Sequence, residues 1–106
     1  MQVINKLSDW HWLKSKPLVF IFKHSSSCPI SKYAYSQLVA VEKEIDVPIY
    51  LLTVQEAGEL SSFLADQLGV EHATPQLLLV QDGEVKAVLS HNKIERTAVL
   101  LLLQDY

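Results

Sequence analysis

The sequence predicts an α/β fold, a four-stranded mixed sheet flanked by helices in the order α-β-α-β-α-β-β-α. Three observations carry this. Leu18-Val19-Phe20-Ile21-Phe22 is an unbroken apolar run of strand formers, as expected of a strand covered on both faces. From Pro29 the period changes, and Ile30, Ala34, Leu38, Val41 and Ile45 recur at helical spacing. Near the other end, Asp82-Gly83 separates two strand-like runs and signals a tight hairpin.

The elements follow in order. Leu7 to Ser15 reads as a helix, with Ser8 as its N-cap and Pro17 as its stop. The apolar run Leu18–Phe22 is the first strand. The second helix starts at Pro29, because a first helical position loses nothing by lacking an N–H. Pro48 opens a second strand over Ile49-Tyr50-Leu51-Leu52-Thr53-Val54. Leu60, Phe63, Leu64 and Leu68 mark a third helix, and Gly69 stands where a left-handed cap belongs. Thr74-Pro75 leads into a strand at Gln76–Val80, and Glu84–Leu89 returns antiparallel to it. Asn92, with Glu95 three residues on, predicts a capping box opening a last helix from Lys93 to Leu103. The first two strands flank a helix and should therefore be parallel. With the early helix added, this order is that of a thioredoxin-like fold.

Bulk properties narrow the function. A chain of 106 residues, 49% hydrophobic, has room for one domain spanning 1–106 and for a filled core. The formal charge of −3 and the lack of a basic cluster argue against nucleic acid as a partner. No segment reads as a secretory signal, and the longest apolar run, Ala98–Leu103, is too short for a membrane span. The expectation is a cytoplasmic protein with no membrane partner.

Cys28 is the sole cysteine. It has no partner in the chain for a disulfide, and it excludes a multi-cysteine zinc site. His11, His72 and His91 make no metal spacing with it or with one another, so no metal is expected. Cys28 falls immediately before the helix that Pro29 starts. Helix N-termini present unpaired N–H groups and about half a positive charge, which favours the thiolate, the nucleophilic form. Cys28 is thus expected to ionise more readily than a free cysteine and to act as a redox nucleophile. The bland alternative, an inert core cysteine, fits poorly with a strand–loop–helix junction followed by proline.

The neighbours are read as follows. Lys23 and His24, just upstream, would add positive potential. Lys23 is otherwise a solvated strand end, and His24 reads equally well as a loop histidine without a role. Ser31 occupies the place of the second cysteine in dithiol oxidoreductases; serine is unable to resolve a mixed disulfide. Either it donates a hydrogen bond to the Cys28 sulfur or it is an ordinary first-turn serine. Lys32 reads chiefly as part of a solvated helix face. Pro75, placed ahead of the third strand, is expected to follow a cis bond and to face the nucleophile, leaving the Thr74 backbone free to pair with an extended substrate. Trp10 and Trp12 are assigned to covering the sheet edge. The leucines from Leu100 to Leu103 are assigned mainly to the core, although four in a row cannot all point inward.

Phe22-Lys23-His24-Ser25-Ser26-Ser27-Cys28-Pro29-Ile30-Ser31 resembles the active-site segment of the YtxJ-type monothiol bacilliredoxins, with Ser27 where that family usually has Thr. Leu68-Gly69-Val70-Glu71-His72 with Thr74-Pro75-Gln76 resembles their cis-proline segment, and Ser90-His91 their Ser-His before the last helix. Asn92 stands where that family often has Trp. The resemblance implies a thiol-disulfide oxidoreductase that removes bacillithiol from S-bacillithiolated proteins. Bacillithiol would be a co-substrate, no cofactor would be tightly bound, and a separate flavoenzyme would reduce the bacillithiol disulfide. Lys23, His24 and Lys32 would meet the malate carboxylates of bacillithiol, and Thr74 its amide. Two other functions remain open at this point. One is an iron–sulfur carrier of the monothiol glutaredoxin kind, disfavoured by Pro29 where such proteins have glycine. The other is a redox-silent interaction module. Glutathione or coenzyme A could also replace bacillithiol.

Overall fold

The computed structural model describes all residues from Met1 to Tyr106. A five-stranded sheet forms its centre: β1 (Gln2–Val3), β2 (Leu18–His24), β3 (Ile49–Thr53), β4 (Gln76–Gln81) and β5 (Glu84–Ser90), in the spatial order β1-β3-β2-β4-β5. Strand β2 pairs parallel with β3 and antiparallel with β4, and β5 pairs antiparallel with β4. The sheet is mixed, as expected, with one strand more than the sequence predicts. The extra strand, β1, pairs parallel with the edge of β3. Two residues are too few to show a period, which is why no pattern announces it.

The helices are α1 (Leu7–Leu13), α2 (Pro29–Glu42), α3 (Gly58–Leu68) and α4 (Arg96–Leu102). Alternation along β2 divides the core in two. Val19 and Ile21 pack with Trp10, Leu13, Leu60 and Leu64 on the α1/α3 side. Phe20 and Phe22 pack with Ala34, Leu38, Val41 and Val99 on the α2/α4 side.

Gly69 caps α3 at φ +67°, and Asp82 and Gly83 take φ +49° and +83°. Positive φ at both central residues is the two-residue hairpin turn that twists with its strands.

Several local expectations are corrected. Ser8 is not the cap of α1: the helix starts after Lys6, and the Asp9 carboxylate accepts the N–H groups of Asn5 and Lys6 at 2.9 and 3.0 Å. Those two bonds hold the Asp9 carboxyl below its ordinary value. The last helix does not start at Lys93. His91–Lys93 form a separate 3₁₀ turn, His91 has φ +55°, and Glu95 is the N-cap of α4. The Gln37 side chain on α2 accepts the Arg96 N–H at 3.0 Å, so α4 is capped from a neighbouring helix. Finally, Ile30 does not join the inward stripe of α2. It is 47% exposed, and Ser31, fully buried, takes the inward place above Ala34, Leu38 and Val41. Trp10 lies in the core rather than on the sheet edge, whereas Trp12 stands half out of solvent against Tyr50. Leu101 is the leucine of the final run that points outward, 62% exposed. No helix is long and apolar enough to cross a membrane.

Candidate active site

Strand β2 ends at His24, and α2 begins at Pro29 after a link of four residues, 25–28. Cys28 is the N-cap of α2, with extended backbone at φ −100°, ψ 122°, and Pro29 occupies the first helical position. Its carbonyl accepts the Lys32 N–H at 3.0 Å, the first bond of the helix. The N–H groups of Ile30 and Ser31 have no acceptor within the protein. The positive end of the helix dipole therefore falls beside a half-buried thiol free of any disulfide.

The four-residue link is a turn. The Cys28 N–H donates to the Ser25 carbonyl at 3.4 Å, a long bond for its kind. Side chains from both ends of the loop brace it. The Ser25 N–H donates to Ser31 Oγ at 2.9 Å, and Ser31 Oγ lies 2.7 Å from His24 Nδ1. Burial first, and then the charge of Lys32, hold the His24 imidazole below its ordinary value, against an opposing effect of its contact with Ser31. The ring is therefore neutral at pH 7. Ser31 Oγ accepts the Ser25 N–H and shares a second hydrogen bond with His24 Nδ1. Phe22 and Tyr35 flank this ring, each with a centroid separation of 5.4 Å.

Ser31 thus differs from expectation. Its hydroxyl makes no hydrogen bond to the Cys28 sulfur; both of its bonds go to the loop and to His24. Lys23 differs too. Far from a solvated strand end, it is 1% exposed, on the sheet face it shares with Val19 and Ile21. Burial pushes its amine down to about 8. Lys32 is exposed on the first turn of α2. His24, Ser31 and the Cys28 loop form one connected cluster, whereas the Lys23 and Lys32 amines make no hydrogen bond or ion pair with it.

The Thr74–Pro75 peptide bond is cis, and Pro75 is buried at the head of β4. Register places Gln76 opposite Lys23, so the cis-prolyl segment lies beside the end of β2 that feeds the Cys28 loop. Thr74 makes no backbone hydrogen bond, while the Pro75 carbonyl accepts the His91 N–H at 2.8 Å. One residue that matters here is invisible to local pattern reading: Gln55, after β3, whose amide reaches Ser25, Ser26 and Ser27. Beyond the cis-prolyl segment, an open cleft of about 620 Å³ runs between the α3–β4 loop and β5, lined by His72, Gln76, Ser90 and His91 among others.

Comparison with known proteins decides the relationship. The family model described as monothiol bacilliredoxin BrxC matches residues 2–99. The chain belongs to the monothiol bacilliredoxin family. Among solved structures, this bacilliredoxin superposes with a TM-score of 0.88 on a thioredoxin-fold protein provisionally described as an oxidoreductase, at 29% identity over 94% of this chain and 90% of that one. It also matches the thioredoxin of Fasciola hepatica, with a TM-score of 0.80 at 18% identity over 99% and 98% of the two chains. Thioredoxin f2 of Chlamydomonas reinhardtii gives a TM-score of 0.79 at 20% identity over 99% and 94%. The last two likenesses show the thioredoxin fold alone. Within that fold, the bacilliredoxin presents one cysteine at the N-cap of α2 and serine at the fourth position of the Cys-Pro-Ile-Ser segment.

Proposed function

We propose that this bacilliredoxin removes bacillithiol from protein mixed disulfides, with Cys28 as nucleophile. The Cys28 thiolate attacks the bacillithiol sulfur of an S-bacillithiolated protein. The mixed disulfide breaks, the client thiolate leaves, and Cys28 holds bacillithiol as a new disulfide. A second bacillithiol thiolate then attacks the bacillithiol sulfur of that bond. Cys28 is released as thiolate, and bacillithiol disulfide departs, to be reduced by a separate bacillithiol disulfide reductase. Bacillithiol is a co-substrate in this scheme and no tightly bound cofactor is required. A reducing compartment, the cytoplasm, suits a lone thiol that must return to the reduced state.

The observation that carries the reading is the pairing of a lone N-cap cysteine with a Ser31 hydroxyl committed to the loop. With no second thiol in the chain, resolution has to come from outside. The open N–H groups of the first helical turn support the attacking thiolate. Pro29 sets the start of that turn, and Ser31 and His24 act through the loop they brace. Lys23 supplies buried positive charge to the same end of the sheet. Lys32, exposed on the first turn, would meet a carboxylate of bacillithiol. The unpaired Thr74 backbone, ahead of cis Pro75, would hold the ligand's amide.

Mass spectrometry tests this directly. Wild type and Cys28→Ser are each offered one client protein carrying bacillithiol and, separately, glutathione or coenzyme A. The expected result is an adduct of bacillithiol mass on wild-type Cys28, a freed client thiol, and no adduct on Cys28→Ser. Preferential uptake of glutathione or coenzyme A would transfer the chemistry to another thiol. No adduct from any of the three would end the oxidoreductase reading.

A further inference from the structure

We infer that Gln55 is a positioning residue for Cys28, an inference that rests on the disulfide-exchange reading above. Gln55 follows β3, in the link to α3, and its side chain reaches back over the serine triplet that precedes the nucleophile. Its Nε2 donates to Ser25 Oγ at 2.8 Å and to Ser27 Oγ at 3.3 Å, and its Oε1 accepts the Ser26 N–H at 3.2 Å. A single planar amide thus engages all three serines of the turn, with its donors and its acceptor each committed.

The turn needs that support. Its own closing bond, from the Cys28 N–H to the Ser25 carbonyl, is long at 3.4 Å. Ser26 and Ser27 are exposed, and neither glycine nor proline restricts them. Ser31 braces only the first residue of the turn, through the Ser25 N–H. Without Gln55, Ser26 would have no contact directing it and Ser27 only a long 3.4 Å bond to Ser25 Oγ, and the backbone that aims the Cys28 Cα–Cβ bond would be less restrained.

Disulfide exchange is sensitive to that aim. The attacking sulfur must approach along the axis of the bond that breaks, whereas a small alkylating agent can meet the thiolate from many directions. Gln55→Ala is therefore expected to slow transfer of bacillithiol to Cys28 by about tenfold, while alkylation by iodoacetamide stays within about twofold of wild type. Gln55 is exposed, so the variant is expected to fold. In Gln55→Glu both carboxylate oxygens can still accept, from the Ser26 N–H and from serine hydroxyls that rotate to donate.

The experiment measures three quantities on full-length wild type, Gln55→Ala and Gln55→Glu: the transfer rate, the iodoacetamide rate, and hydrogen exchange of the Ser26 amide in the reduced protein. The clamp predicts that Ser26 loses protection in Gln55→Ala and keeps it in Gln55→Glu. Equal slowing of transfer and alkylation in Gln55→Ala would overturn the inference, and so would unchanged Ser26 exchange in that variant. The amide is read without turnover, so the two readings can fail separately. Wild type inactive toward every low-molecular-weight disulfide would overturn the functional proposal, whereas active wild type matched by Gln55→Ala would overturn only the clamp.

Discussion

Lys23 and His24 are neighbours in sequence at the end of β2, yet they point to opposite faces of the sheet and meet opposite fates. On the α2 side, the half-buried His24 is held in a network: its ring lies between Phe22 and Tyr35, and its Nδ1 pairs with Ser31, which also accepts the Ser25 N–H. On the α3 side, the Lys23 side chain is buried and its amine makes no hydrogen bond or ion pair. Gln76, opposite it in the ladder, donates to the Glu71 carbonyl but leaves its own buried Oε1 without a partner. One face spends its polar groups on shaping the nucleophile's loop. The other keeps a cation and an acceptor at a cost to stability. Satisfied polar groups rigidify a site, and unsatisfied ones destabilise the fold around it.

The sharpest way to break this contrast is to remove the hydroxyl that joins the satisfied network. Ser31→Ala leaves the Ser25 N–H and His24 Nδ1 without partners in a buried place. The expected loss is about 2 kcal/mol of folding stability, the cost of stranding a buried donor. Urea unfolding at pH 7 measures it. An unchanged midpoint would mean that the loop already satisfies itself elsewhere, and the two faces would no longer differ.

A smaller effect of opposite sign is expected on the other face. Lys23→Met replaces a buried, unpaired lysine by an apolar chain of similar volume, and a gain of about 1–2 kcal/mol at pH 7 is expected. The pH dependence identifies the cause. Burial lowers the Lys23 amine to about 8 in the folded protein, from an ordinary 10.5. Between those two values the unfolded chain binds more protons than the folded one, so wild-type stability rises with pH relative to the variant. Below pH 8 the gap should be constant, and it should close as pH climbs toward 10.5. A gap that stays constant to pH 10.5 would show that the amine is solvated in the folded state.

This contrast also marks the limit of what the sequence makes legible. The strand–helix alternation, the Asp82-Gly83 hairpin, the Gly69 cap, the cis Pro75 and the placement of Cys28 at the start of α2 can all be read, because each is written in adjacent residues or in one period. The burial of Lys23 escapes such reading. The apolar run stops at Phe22, and a lysine at the end of a strand is solvated by default. The inward place of Ser31 is hidden for a related reason: Ile30 is the better apolar residue, and only the packed helix shows which of the two faces the sheet. Gln55 is less legible still. Its three partners lie 28 to 30 residues away in sequence, and no period or spacing joins a glutamine after one strand to serines after another.

The smallest expected effect tests whether charge on the exposed surface of α2 reaches His24. Burial lowers the His24 imidazole most, and Lys32, exposed one helical turn along α2, lowers it further. Lys32→Gln should therefore move the His24 titration upward, though still short of the ordinary 6.5, since burial is unchanged. An NMR titration of the ring carbon-bound protons reads this shift. The stability consequence follows from the direction. With its folded value depressed, His24 binds fewer protons than in the unfolded chain just below pH 6.5, so stability falls as pH drops through that window. The loss should be shallower in Lys32→Gln. A His24 titration indifferent to Lys32 would show that the exposed lysine is screened by solvent, leaving burial alone to keep the ring neutral.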